Sequence, residues 1–124
     1  LKKNNVDKCS LIDIFEKSDI ICIHLSFSKN LHNIINYDLL KKSKRNPLIV
    51  NTSRGQLINE TDLIKCLDEK LLSGIALDVF EKEPYRGPLC KRNDVLLTPH
   101  IGSYSKEVRE KMEVESVENL LKNI

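Results

Sequence analysis

The 124-residue sequence predicts an α/β domain built on a parallel sheet, and three observations carry that reading. Apolar runs rich in β-branched residues, Asp19–Leu25, Leu48–Val50, Ile75–Val79 and Val95–Leu97, are nearly continuous rather than alternating. That is the pattern of strands covered on both faces. The segments between the early runs place apolar residues at helical spacing, so strands and helices alternate as parallel crossovers require. Gly, Pro, Asn and Ser punctuate the joins.

The elements follow in order. Ser10 is placed to cap a short helix over Leu11–Lys17, whose apolar face is Leu11, Ile14 and Phe15. Asp19–Leu25 is the first strand and Ser26–Asn33 a loop. Asn36 caps a second helix around Asp38–Ser43, and Pro47 leads into the strand Leu48–Val50, which ends in Asn51-Thr52-Ser53-Arg54-Gly55. Asn59 caps a third helix running to about Lys70, with Leu63, Ile64 and Leu67 on one face. Gly74 closes that segment and opens the strand Ile75–Val79. After Val95–Leu97 and a turn at His100, Ser103 or Ser105 starts a last helix, with Val108, Met112, Val117, Leu120, Leu121 and Ile124 at helical period. Leu1–Lys8 is polar and shows no period.

Composition narrows the class. An apolar share of 40% and a charged share of 31% suit a globular domain. The net charge of +2 is spread among interspersed lysines and acids, which implies neither nucleic acid nor a membrane surface as partner. No apolar run approaches the ~18 residues of a membrane span, and no signal-peptide pattern opens the sequence. Cys9, Cys22, Cys66 and Cys90 lack CxxC spacing. Cys22 lies in an apolar run and Cys66 on a helical pattern, so buried, reduced thiols of a cytoplasmic protein are expected rather than a disulfide framework.

Candidate site residues gather where strands end. Arg54, Asp78, Glu83 and His100 all stand just after predicted strands, and in an open parallel sheet the carboxyl ends of the strands border the ligand crevice. A carboxylate and an imidazole delivered there can form an acid–base pair; the plain alternative is a solvated loop acid and a strand-end histidine. Arg54, beside Gly55, can grip a carboxylate with two parallel bonds or serve as a structural loop arginine. Asp78 ends a buried strand, where a carboxylate needs a donor: a ligand amide, a helix N-terminus or an arginine. His24 ends a strand on the same rim, whereas His32 sits in a polar loop. His24, His32 and Cys22 lack metal-ligand spacing, so no metal site is expected. The motifs GxSxG, GxxxxGKS and GxGxxG are absent from the sequence.

Taken in order, four blocks are far more specific than their parts: Ser18-Asp19…His24-Leu25, then Val50-Asn51-Thr52-Ser53-Arg54-Gly55, then Leu77-Asp78-Val79-Phe80-Glu81-Lys82-Glu83-Pro84, then Leu97-Thr98-Pro99-His100-Ile101-Gly102. From about Ser10 to Ile124 the chain resembles the D-isomer-specific 2-hydroxyacid dehydrogenases, with a phosphoglycerate dehydrogenase-like cast at His100-Ile101-Gly102-Ser103. The resemblance implies a partial Rossmann-type doubly wound parallel sheet, its second half, lacking the GxGxxG strand–helix unit. Residues 1–102 would be the C-terminal part of a dinucleotide-binding domain, and 103–124 a helix leading toward a missing substrate domain. It implies NAD as cofactor, a small 2-hydroxy or 2-keto acid as substrate and a homodimer in the intact parent.

By the same resemblance, Arg54 holds the substrate carboxylate and the reacting oxygen, His100 is the general acid–base, and Glu83 bonds the imidazole and favours its protonated form. Asp78 receives the nicotinamide carboxamide, the backbone at Thr52, Ser53 and Gly102 borders the nicotinamide, and His24, Leu25 and Ser26 line the cofactor groove. Ser26 stands where the family has Pro, and Leu31 where it usually has Thr. The alternative is a non-catalytic remnant or nucleotide-sensing module of the same fold. The resemblance places Ile20–Leu25 third in the dinucleotide order 3-2-1-4-5-6, which leaves a gap of two strands beside it. That gap is to be closed by a shift of the strand or by another molecule, and residues 1–124 alone are expected neither to bind NAD tightly nor to form a stable monomer.

Overall fold

A computed structural model describes residues 6–123. Local chemistry starts each helix where the sequence places a cap. Ser10 accepts from the amide of Asp13 while Asp13 reaches back to the Ser10 backbone, a reciprocal box that opens α1, Leu11–Lys17. Asn36 accepts from the Leu39 amide to start α2, Tyr37–Leu40, and Asn59 from the Asp62 amide to start α3, Glu60–Asp68. Ser105, not Ser103, caps α4, Lys106–Lys122. The second helix is shorter than expected. From Lys42 onward its bonds run to the carbonyl three residues back, Lys42 to Leu39 and Ser43 to Leu40, so the turn tightens and stops. Ile124, expected on the apolar side of α4, lies outside the described residues, as do residues 1–5.

The four apolar runs form β1 (Ile20–Ile23), β2 (Leu48–Asn51), β3 (Gly74–Leu77) and β4 (Val95–Leu97). The first and third ladders stop short of their apolar runs, so His24 and Asp78 stand just past strand ends, while β2 runs one residue further, to Asn51, and β4 matches its run. The sheet is parallel throughout, in the order β1-β2-β3-β4, with Ile23, Asn51 and Leu77 aligned across the first three strands. The expected gap beside the first strand does not exist. Ile20 to Ile23 pair residue for residue with Leu48 to Asn51, which puts this run on the same side of the switch point as the others, not beyond two missing strands.

That order also corrects a second expectation. Right-handed crossovers between strands added in one direction all fall on one face of the sheet. Ile21, Ile23, Ile49, Ile75 and Leu77 point to that face and join Phe15, Leu40, Leu63, Cys66 and Leu67 of α1–α3 in one core. On the other face Ile20, Cys22 and Leu96 are exposed, and Leu48, Val50 and Ala76 only half-buried. Continuous apolar runs predicted strands covered on both sides; here one side is covered. Cys22, expected buried, is exposed for this reason, while Cys66 is buried as expected. The apolar residues of α4, among them Met112 and Leu121, are exposed too.

Candidate active site

Parallel strands deliver their following loops to one rim, and the rim here is built from the β2, β3 and β4 ends. Asn51, the last residue of β2, is fully buried. Its carboxamide accepts from the amide and hydroxyl of Ser53 at 3.0 and 2.8 Å and donates to the Arg54 carbonyl at 2.9 Å. A buried amide with its partners met is a template for the turn, and it presents Arg54 outward. Gly55 then passes so close to the next loop that a Cβ would lie 1.9 Å from the Phe80 carbonyl carbon. Only glycine permits that approach, and it sets the Arg54 turn against the loop carrying Glu83.

Glu83 is held at both oxygens. Oε1 accepts from the Phe80 amide at 3.0 Å and Oε2 lies 2.8 Å from Nδ1 of His100. The Phe80 amide first, and the imidazole second, keep the Glu83 carboxyl below its ordinary range. Stacking of Phe80 on Tyr85, centroids 4.3 Å apart, fixes the loop between them. His100 takes a left-handed backbone, φ 54°, with its amide bonded to the Thr98 carbonyl at 3.0 Å across Pro99.

Asp78, just past β3, binds this turn from beneath. Oδ1 accepts from the Thr98 hydroxyl at 2.6 Å and the Ile101 amide at 2.9 Å, and Oδ2 from the Gly102 amide at 3.0 Å. Burial pushes the Asp78 carboxyl up, but these three donors together outweigh it and leave it below the ordinary value. The donors are neither a helix terminus nor an arginine. They come from the Thr-Pro-His-Ile-Gly turn itself, whose Pro and Gly were the signal that a tight, amide-rich turn follows β4.

Two clefts result. Arg54, Gly55, Gln56, Val79, Phe80, Glu81, Glu83 and His100 line one of about 210 Å³. His24, Leu25, Ser26, Phe27, Ser53, Arg54 and Gln56 line the other, of about 560 Å³. They share Arg54 and Gln56, so the guanidinium stands between them. The predicted residues divide between the clefts, with Arg54 at both. Arg54, Glu83 and His100 converge on the small cleft, and His24, Leu25, Ser26 and Ser53 on the large one. Thr52 is exposed and lines neither, while Asp78 and Gly102 are tied to each other under the His100 turn. Gln56 and Glu81 were not assigned roles from the sequence, although Gln56 adjoins a quoted block and Glu81 lies inside one. His32 is exposed, as its polar loop suggested, and its Nε2 meets Glu81 at 3.1 Å. Among the described residues, no three His, Cys, Asp or Glu side chains cluster as metal ligands, and no helix is long and apolar enough to cross a membrane.

The larger cleft suits an elongated polar ligand, open at the strand ends and bordered by backbone, hydroxyls and one guanidinium. The sequence model for the NAD binding domain of the D-isomer specific 2-hydroxyacid dehydrogenases matches residues 1–102. A glyoxylate reductase from Thermofilum pendens is 39% identical over 119 residues, which are 94% of this chain and 35% of that protein. A glyoxylate reductase structure from Paecilomyes thermophila superposes with a TM-score of 0.86 at 34% identity, over 90% of this chain and 34% of the other. Phosphoglycerate dehydrogenase from Lactobacillus plantarum gives 0.71 at 35% identity, over 74% of this chain and 30% of the other. The chain thus spans about a third of the length of these relatives.

Proposed function

The chain belongs to the D-isomer specific 2-hydroxyacid dehydrogenases, in their NAD-binding domain, and on that premise we propose that it supplies the proton-transfer and carboxylate-gripping groups of an enzyme interconverting a small D-2-hydroxy acid and its 2-keto acid. The observation that carries this reading is the meeting of His100, Glu83 and Arg54 on one cleft, with the imidazole already paired to a carboxylate at 2.8 Å.

The roles follow from the geometry. The larger cleft takes the cofactor, with His24, Leu25, Ser26 and Ser53 along its wall. A nicotinamide cofactor held there would supply or take the hydride exchanged at C2 of the substrate. Reduction leaves an oxygen at C2 that needs a proton, and His100 gives one. Nδ1 faces Glu83, so Nε2 is the nitrogen turned to substrate, and Glu83 fixes the orientation of the ring. In the oxidative direction the same nitrogen takes the proton from the hydroxyl. One guanidinium nitrogen of Arg54 holds the Ser53 carbonyl at 2.6 Å; its other donors remain for the substrate carboxylate. Asp78 spends three of about four acceptor positions on the His100 turn, leaving Oδ2 one more for the nicotinamide carboxamide. The backbone of Thr52 and Gly102 borders the ring in this reading.

Glyoxylate is the substrate we favour, because the relatives named above include glyoxylate reductases. The whole protein is read as a cytoplasmic homodimer. The test is oxidation of NADH and of NADPH by the purified whole protein that carries this domain, with glyoxylate, hydroxypyruvate or phosphohydroxypyruvate. His100→Gln should lower turnover about 10²–10⁴-fold with cofactor affinity retained. Near-normal turnover in that variant sinks the assignment, and nucleotide binding without turnover in the parent points to a sensing module instead.

A further inference from the structure

We propose that Thr98 is a positioning residue for proton transfer, its hydroxyl clamping Asp78 so that the His100 turn is held in the one conformation that meets Glu83. The inference rests on the dehydrogenase reading above for its catalytic meaning, and on geometry alone for the clamp.

Leu77 and Leu97 are paired across β3 and β4, so Asp78 and Thr98 are the next opposed positions, just beyond the ladder. The Thr98 amide extends the ladder to the Leu77 carbonyl at 3.0 Å. Its side chain then donates to Asp78 Oδ1 at 2.6 Å. The same carboxylate takes the amides of Ile101 and Gly102, so it is bound to residues on either side of His100. A left-handed backbone is costly for any residue with a Cβ, and His100 holds one at φ 54°. The residues flanking it must over-determine it, and the Asp78 contacts do so from both sides. Thr98 contributes the only hydroxyl among the three donors to Asp78, and it orients the carboxylate toward the two amides. Burial would otherwise raise the Asp78 carboxyl, and Thr98 is the foremost group lowering it. An acceptor on both oxygens is therefore maintained at neutral pH. Thr98 lines no part of the cleft that holds Arg54 and His100, so it acts through His100 and not on substrate.

Asp78 is a poor handle because its second oxygen serves the cofactor in the reading above; Thr98 separates the two duties. Thr98→Val keeps the shape and removes the hydroxyl, and Thr98→Ser restores it. Two readouts apply. By NMR, the parent shows the strong intraresidue amide–Hα Overhauser contact of a positive φ at His100 and contacts between its ring and Glu83. Thr98→Val loses both and Thr98→Ser keeps both. By kinetics, Thr98→Val lowers turnover about 10- to 100-fold, the scale of a charge-assisted hydrogen bond, while the Michaelis constant for the keto acid, set by Arg54, stays put. Thr98→Ser recovers most of the rate. Thr98→Ala covers the case in which valine fails to fold. Retained Overhauser contacts in both Thr98→Val and Thr98→Ala overturn the clamp, as does a well-folded Thr98→Ser that fails to rescue. A parent with no turnover overturns the dehydrogenase reading instead, and the NMR comparison still decides the clamp.

Discussion

Glu83 places one carboxylate oxygen 2.8 Å from Nδ1 of His100 and the other 3.0 Å from the Phe80 amide. The pair is thus anchored to backbone through the Phe80 amide, and the imidazole has one nitrogen committed to the carboxylate.

That anchoring predicts an acid limit. Glu83 and Asp78 both titrate below their ordinary values in the folded chain. A depressed folded pKa contributes stability that is present above the unfolded value, about 4, and is lost as pH falls through the folded one. Thermal unfolding followed from about pH 7 to about pH 3 should show stability falling below about pH 4. Glu83→Gln should flatten that slope and lower turnover about 10- to 100-fold. An unchanged slope would remove Glu83 from the account.

Arg54→Lys should raise the Michaelis constant for the keto acid about 10- to 100-fold with turnover less affected, because an ammonium cannot reproduce a planar two-pronged grip. Asn51→Ala should move the same constant, since Asn51 carries the turn that presents Arg54. Steady-state kinetics on both variants decides the point, and an unchanged constant in Arg54→Lys marks that residue as structural.

Gly55→Ala should be disproportionately harmful. The added methyl would fall on the Phe80–Glu81 peptide, 1.9 Å from one carbon and 2.3 Å from the Glu81 nitrogen. Backbone has to move, at about 1–3 kcal/mol for overpacking of this kind. The shift separates the Arg54 turn from Glu83, so activity should fall further than stability. Denaturant unfolding alongside kinetics tests it; a variant with parental stability and rate contradicts the close approach.

Thiol reagents should distinguish the cysteines. Cys9, Cys22 and Cys90 are exposed, whereas Cys66 is buried and its thiol is pushed up to about 11 by burial. Native protein should react at the three exposed positions, with the fourth appearing only on unfolding. Fast labelling of Cys66 would contradict the packing of α3.

Much of the site was legible in the sequence because it hangs on strand ends, and strand ends are marked by where an apolar run stops. Arg54, Glu83 and His100 were found that way and by the blocks around them. Asn51 and Thr98 were not assigned roles, since a polar residue closing an apolar run looks the same whether its side chain meets solvent or a buried partner. Cys22 and the sheet's open face were misjudged for a related reason. Apolar continuity along a strand reports its composition, but which face is covered depends on strand order. The order itself was misread at Asp19–Leu25, where nothing local records which neighbour a strand pairs with.

Sequence separation gives the His100 turn a further property. Asp78 and Thr98 are 20 residues apart and Glu83 and His100 17, so the acid–base half of the rim closes within one short β3–β4 unit. Loop closure of that length costs about 2–3 kcal/mol beyond a constant, and it rises only with the logarithm of length. Topology of this kind favours early formation. In refolding, the imidazole–carboxylate contact should therefore appear together with the β3–β4 ladder, with Arg54 joining when β2 docks. The proton-handling machinery is a local folding product to which the substrate grip is added.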